Sequence, residues 1–179
     1  MAKFIPTYYA ANIYEVNPKF FKAIGVETLL LDLDNTLASY KDLVASERTL
    51  KYLETLYEVG LKLYLVSNNS GKRVRSYAQS ANLEYIAGAR KPFAGKTRKF
   101  LKARNIDLNS TMMVGDQILT DVYFANNLGI KVLLNDKLVK VDQWTTRINR
   151  LLDRPLRRRL RRKNKLKEWH TYGPRIKES

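Results

Sequence analysis

The ten residues LLLDLDNTLA, Leu29 to Ala38, decide how this chain is read. Three leucines lead into Asp32 and Asp34, with only Leu33 between the two acids. A short apolar run that stops at polar turn residues reads as a buried strand, here within VETLLLDLD from Val26 to Asp34. Residues two apart on a strand point the same way, so Asp32 and Asp34 would share one site if the strand continued. The following DNT is also a turn signal, and a turn would take Asp34 off the ladder and offer its backbone carbonyl instead. A hard magnesium ion suits such a place, because it takes carboxylate, carbonyl, water and phosphate oxygens together.

Outward from this strand the chain alternates. SERTLKYLETLYEVG has helical spacing, with Leu50, Leu53, Leu56 and Tyr57 expected inward, Ser46 as N-cap and Gly60 as stop. LKLYLVSNN is a second strand, GKRVRSYAQSANL a helix, and EYIA a short strand leading into RKPF. GKTRKFLKARNI gives another helix, TMMVGDQILTD a strand entering a loop, VYFANNLG a short helix and IKVLLN a last strand. The alternation predicts an α/β fold of three layers, Rossmann-like, with a mostly parallel sheet covered on both faces. In such sheets the loops beyond the C-terminal strand ends gather at one edge. DLDNT, SNN, RKP and GDQILTD all follow apolar segments, so they are expected to converge there.

Residues 1–24 are aromatic-rich and expected to pack against the domain, and Pro6 and Pro18 argue against one continuous helix. From Trp144 helical spacing runs through Ile148, Leu151 and Leu152 to Pro155, and Leu156, Leu160 and Leu166 resume it. Two helices or one kinked helix fit. The expected division is a core over residues 1–150 and a basic, partly helical extension over 151–179.

Composition narrows the chemistry. The 179 residues are 45% hydrophobic, enough for a globular core, and contain no cysteine, which excludes disulfides and thiolate chemistry. The single histidine, His170, lies in EWHTYG far from any carboxylate cluster and reads as a surface or packing residue. No apolar run approaches the roughly 20 residues of a membrane span, and the N-terminus lacks the apolar core of a secretion signal. The expected location is the cytoplasm, either free or peripheral at the inner face of the membrane. The formal charge of +16, from 33 basic and 17 acidic residues, favours polyanionic partners: nucleic acid, acidic lipid or phosphorylated substrates. It concentrates in RPLRRRLRRKNKLK, Arg154 to Lys167, which holds no acid.

DLDNTL resembles the nucleophile motif of the haloacid dehalogenase-like hydrolases, and SNN, KP and GDQILTD resemble that superfamily's remaining motifs in order. The resemblance implies that Asp32 attacks phosphorus to form an aspartyl-phosphate. Asp34 would protonate the leaving group and then activate water. It implies Mg2+ held by the Asp32 carboxylate, the Asp34 carbonyl and Asp116. Ser67 would donate to the phosphate, Asn68 would sit beside the nucleophile or leaving group, and Lys91 would supply the phosphate cation, with Lys96 and Lys99 as competitors. Asp121 would stand behind the metal, reaching a metal-bound water or Lys91, or capping the next helix. Single elements account for the spacings from Asp34 to Ser67 and from Ser67 to Lys91, so a haloacid dehalogenase-like core without a substantial cap domain is expected. An open crevice favours a macromolecule, a lipid headgroup or closure by another subunit.

Residues 8–150 are similar to a narrower set, the YqeG-like phosphatases and related phosphatidylglycerophosphate phosphatases. IYEVNPKFFKAIGVETLLLDLDNTLA, ARKP, GDQILTDVYFANNLGIKVLL and TRINRLLDR carry that similarity. It implies a magnesium-dependent phosphomonoester hydrolase, with phosphatidylglycerophosphate among its substrates. A soluble phosphometabolite or phosphoprotein stays open as substrate. So does an RNA- or ribosome-associated protein on a phosphatase-like scaffold. The basic tail fits an anionic bilayer, RNA or a solubilising role.

Overall fold

A computed structural model describes residues 2–138 and 144–174; over 144–150 it describes the helix but not the side chains, so the role expected of Ile148 lies outside the described residues. Six strands form one sheet: β1 (Tyr8–Ala10), β2 (Thr28–Leu31), β3 (Lys62–Val66), β4 (Glu84–Ile86), β5 (Thr111–Gly115) and β6 (Lys131–Asn135). Their order is β1-β6-β5-β2-β3-β4, and every neighbouring pair is parallel. The expected α/β architecture is therefore present, with one strand more than the alternation predicted. That strand, β1, is three residues long and carries no alternating pattern to announce it; pairing with β6 makes it a strand.

The sheet is buried on both faces because its strands are apolar on both faces. Leu29, Leu31, Leu63, Leu65, Met112 and Val114 point into one core, under α1 (Pro18–Ala23), α2 (Glu47–Glu58) and α3 (Lys72–Ser80). Leu30, Tyr64, Val66, Met113 and Val132 point into the other, under α4 (Gly95–Ala103), α5 (Tyr123–Leu128) and α6 (Trp144–Arg162). Leu29, Leu30 and Leu31 are fully buried. Each such side chain contributes roughly 1.5–3 kcal/mol relative to exposure, which offsets the cost of ending the same strand in a buried carboxylate.

Helix α2 begins as its sequence predicts, with the Ser46 side chain accepting from Thr49 N. Its inward face differs from expectation. Leu53 and Leu56 are buried, but Leu50 and Tyr57 are exposed, and Thr49 and Tyr52 take the remaining inward positions. The register 49, 52, 53, 56 is a narrow helical stripe, and Leu50 and Tyr57 lie off it.

The C-terminal segment joins the fold. Helix α6 runs without a break through Pro155, so the boundary drawn at residue 150 falls inside one helix. Leu160 is buried, and Arg157 and Arg161 both pair with Asp136. Beyond α6 the chain returns beside β1, where Tyr9 N donates to Lys167 O and Tyr9 bridges Glu168. The short helix α7 (Trp169–Tyr172) then sets Trp169 edge-on against Phe20. The exposed edge of a sheet is a liability, and this return covers part of it. His170 is exposed, in keeping with its expected surface role.

Candidate active site

Strand order reverses at β2, which has β3 on one side and β5 on the other. The crevice beyond the C-terminal ends of strands at such a reversal is where ligands bind in open α/β sheets. Asp32 directly follows β2, Ser67 follows β3, and Asp116 follows β5. Lys91 lies beyond β4 on a loop that folds back toward β2, next to the cis Lys91–Pro92 peptide. Among the described residues no substantial cap domain separates this edge from solvent.

Asp32 continues the ladder, its N–H donating to Val114 O at 2.9 Å, and the chain then turns sharply. Leu37 N and Ala38 N both return to Leu33 O, and Asn35 adopts φ 68°. This turn separates the two acids. Asp32 is buried, whereas Asp34 is half-buried, with one oxygen accepting from Asn69 Nδ2 at 2.8 Å and the other 2.7 Å from Arg73 Nη1. Of the two geometries the sequence allows for Asp34, the turn is the one adopted.

The buried centre is built around Lys91. Its ammonium donates to Asp32 Oδ1 at 2.5 Å, Asp121 Oδ1 at 2.7 Å and Val66 O at 3.0 Å. Asp32, Asp116 and Asp121 are all buried, and each offers a carboxylate oxygen within 4.8 Å of the others. Burial works against the Lys91 charge, yet the Asp121 and Asp32 carboxylates outweigh it and hold its pKa above the ordinary lysine value. Burial pushes Asp32 well above the usual carboxylate range; Lys91 opposes this, and Asp121, Asp116 and Asp34 reinforce it. These two directions compete for one proton. Asp121 is bonded to both Lys91 and Gln117 N, so both of its oxygens are engaged.

Local backbone explains Asp121. Residues Ile118–Val122 form a π-helical turn, with Val122 N reaching back to Gln117 O. Asp121 thereby folds over Gly115, and a Cβ on Gly115 would stand 2.5 Å from Asp121 Cβ. Only glycine admits that approach. Such π-turns are frequent at functional sites.

Ser67 Oγ is buried and accepts from Asn69 N at 3.1 Å, which leaves its hydrogen to donate. Asn68 is engaged by the backbone of Lys91. Its Oδ1 accepts from Lys91 N at 2.6 Å and its Nδ2 donates to Lys91 O at 2.9 Å, so it clips the Lys91 loop in place. Of the competing lysines, Lys96 is tied to the carbonyls of Ala87 and Gly88.

Four residues at this site carry roles that the sequence reading did not give them. Arg73 and Asn69 hold Asp34. Asp153 of α6 accepts from Ile118 N at 2.9 Å and Leu119 N at 3.1 Å, capping the turn that follows Asp116. Arg157 donates to Asp116 O at 2.7 Å. The available signal was Asp153 itself, a lone acid in the middle of a helix otherwise crowded with arginines.

Comparison with known proteins agrees with this arrangement. The family described as Mitochondrial PGP phosphatase matches residues 1–139. The Probable phosphatase YqeG of Bacillus subtilis is 30% identical over 166 residues, covering 93% of this chain and 96% of that one. The Glyceraldehyde 3-phosphate phosphatase of Pyrococcus abyssi is 31% identical over 128 residues, where this chain spans 50% of that protein. Among solved structures, an uncharacterized protein from Listeria monocytogenes superposes with a TM-score of 0.51 at 17% identity, over 65% of this chain and 85% of that one, a likeness of fold alone. The family match, the near full-length relative and the buried carboxylate cluster make this protein a phosphatase of the YqeG-like, PGP-phosphatase family of haloacid dehalogenase-like hydrolases.

Proposed function

We propose that the chain is a magnesium-dependent phosphomonoesterase that works through an aspartyl-phosphate on Asp32, with phosphatidylglycerophosphate as its substrate. The observation that supports it most is the grouping of Asp32, Asp116 and Asp121 around Lys91. Three buried carboxylates against one ammonium leave the cluster two charges short of neutrality, and its donors are all oxygens. A divalent hard cation meets both conditions. Asp121 commits one oxygen to Lys91 and the other to Gln117 N, so Asp32, Asp116 and the Asp34 carbonyl are the ligands we assign, with Asp121 behind them. When bound, magnesium offsets the repulsion between a phosphate dianion and an anionic nucleophile.

The chain's own groups then divide the work. Lys91 and Ser67 bind the phosphoryl oxygens, and Lys91 orients Asp32 for in-line attack. The Asp32–phosphorus bond forms as the bond to the leaving oxygen breaks, and Asp34 gives that oxygen its proton. Asp34, then a carboxylate, takes a proton from water whose oxygen attacks phosphorus and releases Asp32. Arg73 and Asn69 hold the Asp34 carboxylate in position for both transfers.

Substrate choice rests on family membership, and the open edge supports it by leaving room for a bulky leaving group. No helix among the described residues is long and apolar enough to cross a membrane, so a lipid substrate would be reached from the bilayer surface. The RNA or ribosome alternative rests on the basic tail alone, and part of that charge is used inside the fold by Arg157 and Arg161. The test is magnesium-dependent phosphate release from a panel of monoesters that includes phosphatidylglycerophosphate in mixed micelles. Activity is expected on the lipid and absent in Asp32→Asn. Release no greater than that of Asp32→Asn on every substrate would overturn the phosphatase mechanism, and activity confined to soluble esters would overturn the lipid assignment.

A further inference from the structure

Apolar side chains exposed singly are ordinary on a protein surface, but their gathering at one place is not. The five most exposed large hydrophobic side chains among the described residues are Leu43, Val44, Phe93, Leu151 and Leu152, at 58% to 75%. All five belong to segments at the sheet edge that holds Asp32. Leu43 and Val44 lie on the loop between β2 and α2, where the Ser39 and Asp42 carbonyls accept from Arg73, the residue that holds Asp34. Phe93 follows Lys91 on the loop between β4 and α4. Leu151 and Leu152 precede Asp153, which caps the turn after Asp116. One of these segments leads to the helices over one core and the other two to the helices over the opposite core, so together they flank the crevice.

Charge around these side chains favours an anionic surface. Lys41, Lys72 and Arg90 are exposed beside them. The neighbouring acids are occupied: Asp42 accepts from Ser39 N at 2.8 Å, Glu47 pairs with Lys51 at 2.7 Å, and Asp153 is buried. A stable protein partner needs a continuous, closely matched patch with an apolar centre. Here the centre is a polar crevice, and the apolar side chains stand around it on three separate segments. A bilayer's headgroup region takes in such projections one by one, and anionic lipid attracts the cations between them.

We infer that the rim of the crevice is a bilayer-docking face, with Leu43, Val44, Phe93, Leu151 and Leu152 entering the headgroup region of an anionic membrane. The role this gives the face rests on the phosphatase reading: docking sets the mouth of the crevice against the lipid, so a phosphorylated headgroup reaches Asp32 without leaving the bilayer. Membrane contact then belongs to the catalytic edge, and the exposed arginines further along α6 add only long-range attraction.

Two measurements on the full chain test it. The first is co-sedimentation with vesicles of phosphatidylserine and phosphatidylcholine, which carry no phosphomonoester, so binding needs no turnover. Leu43→Ser/Val44→Ser, Phe93→Ser and Leu151→Ser/Leu152→Ser are each expected to weaken binding about tenfold, while hydrolysis of soluble p-nitrophenyl phosphate stays at the native level. A native chain that stays off the vesicles, or rim variants that bind as the native chain does, overturns the docking face. Rim-dependent binding by a chain that releases phosphate from no ester supports the docking face and overturns the phosphatase reading instead. The second measurement uses the absence of cysteine from the chain. An environment-sensitive fluorophore on Val44→Cys is expected to shift its emission to the blue when the chain binds vesicles. Emission unchanged on vesicle-bound protein shows that the rim stays in water and overturns the inference.

Discussion

Asp32 and Asp34 stand two residues apart and end in different worlds, one sealed beside Lys91, the other half-open and tethered by Arg73 and Asn69. Their separation yields a prediction about the metal-free protein. Because burial raises the Asp32 pKa, the folded state binds this proton more readily than the unfolded chain does. The group's contribution therefore favours folding most in acid and is lost as pH rises from about 4, the unfolded carboxylate value, through the folded pKa. Asp32→Asn, which carries no such charge, should raise the thermal midpoint at pH 7 without metal. That gain should shrink toward pH 4, and saturating magnesium should stabilise the native chain more than the variant; scanning calorimetry at both pH values reads this. Gly115 offers a second prediction at the same scale. Gly115→Ala forces its methyl against Asp121 and should cost about 1–3 kcal/mol in urea unfolding. Activity should fall further than that loss of stability accounts for, because Asp121 is the partner that holds Lys91.

Helix α6 changes what the basic segment means. From Asp153 to Leu160 it turns one face to the core: Asp153 caps the turn after Asp116, Arg157 grips the Asp116 carbonyl and Asp136, and Leu160 is buried. A carboxylate accepting two backbone N–H groups at the start of a helical turn acts as a cap supplied from elsewhere in the chain. Asp153→Ala should therefore cost about 1–2 kcal/mol, with Asp153→Asn milder because it keeps one acceptor oxygen. A chain ending at residue 150 removes the cap, the Arg157 contact and the Trp169 packing together, and should lose stability and metal affinity alike. Magnesium titration followed by calorimetry, alongside thermal melts, distinguishes that outcome from a tail that only binds partners.

Across the whole molecule the charge of +16 separates into two populations. Arg157 and Arg161 serve the fold, while Arg158, Arg159 and Arg162 are exposed. Replacing the exposed three with glutamate should change stability by only about 0.5 kcal/mol per site. Arg157→Glu should cost about 1.5–3 kcal/mol or more, since it leaves Asp136 and the Asp116 carbonyl facing a negative charge. Urea unfolding of the two variants checks this, and the triple variant is then the proper probe for anionic vesicles or RNA at varied salt.

The sequence by itself determined the alternation of strands and helices, the edge at which DLDNT, SNN, RKP and GDQILTD meet, and the place of Asp32, Lys91 and Asp116 at that edge. Those are local matters: apolar runs that end in polar residues, and motifs whose spacing matches one element at a time. Tertiary structure alone decided the rest. It made a strand of Tyr8–Ala10 by pairing it with β6 and turned Leu50 and Tyr57 outward. It gave Asn68 to the Lys91 backbone and set Arg73 on Asp34. It also brought Asp153 and Arg157 from the far end of the chain onto the loop of Asp116. None of these is written in a local pattern. Each depends on which hydrogen-bonding group or charge a distant segment leaves within reach once both cores have closed, and buried polar groups take whatever partner that closure supplies.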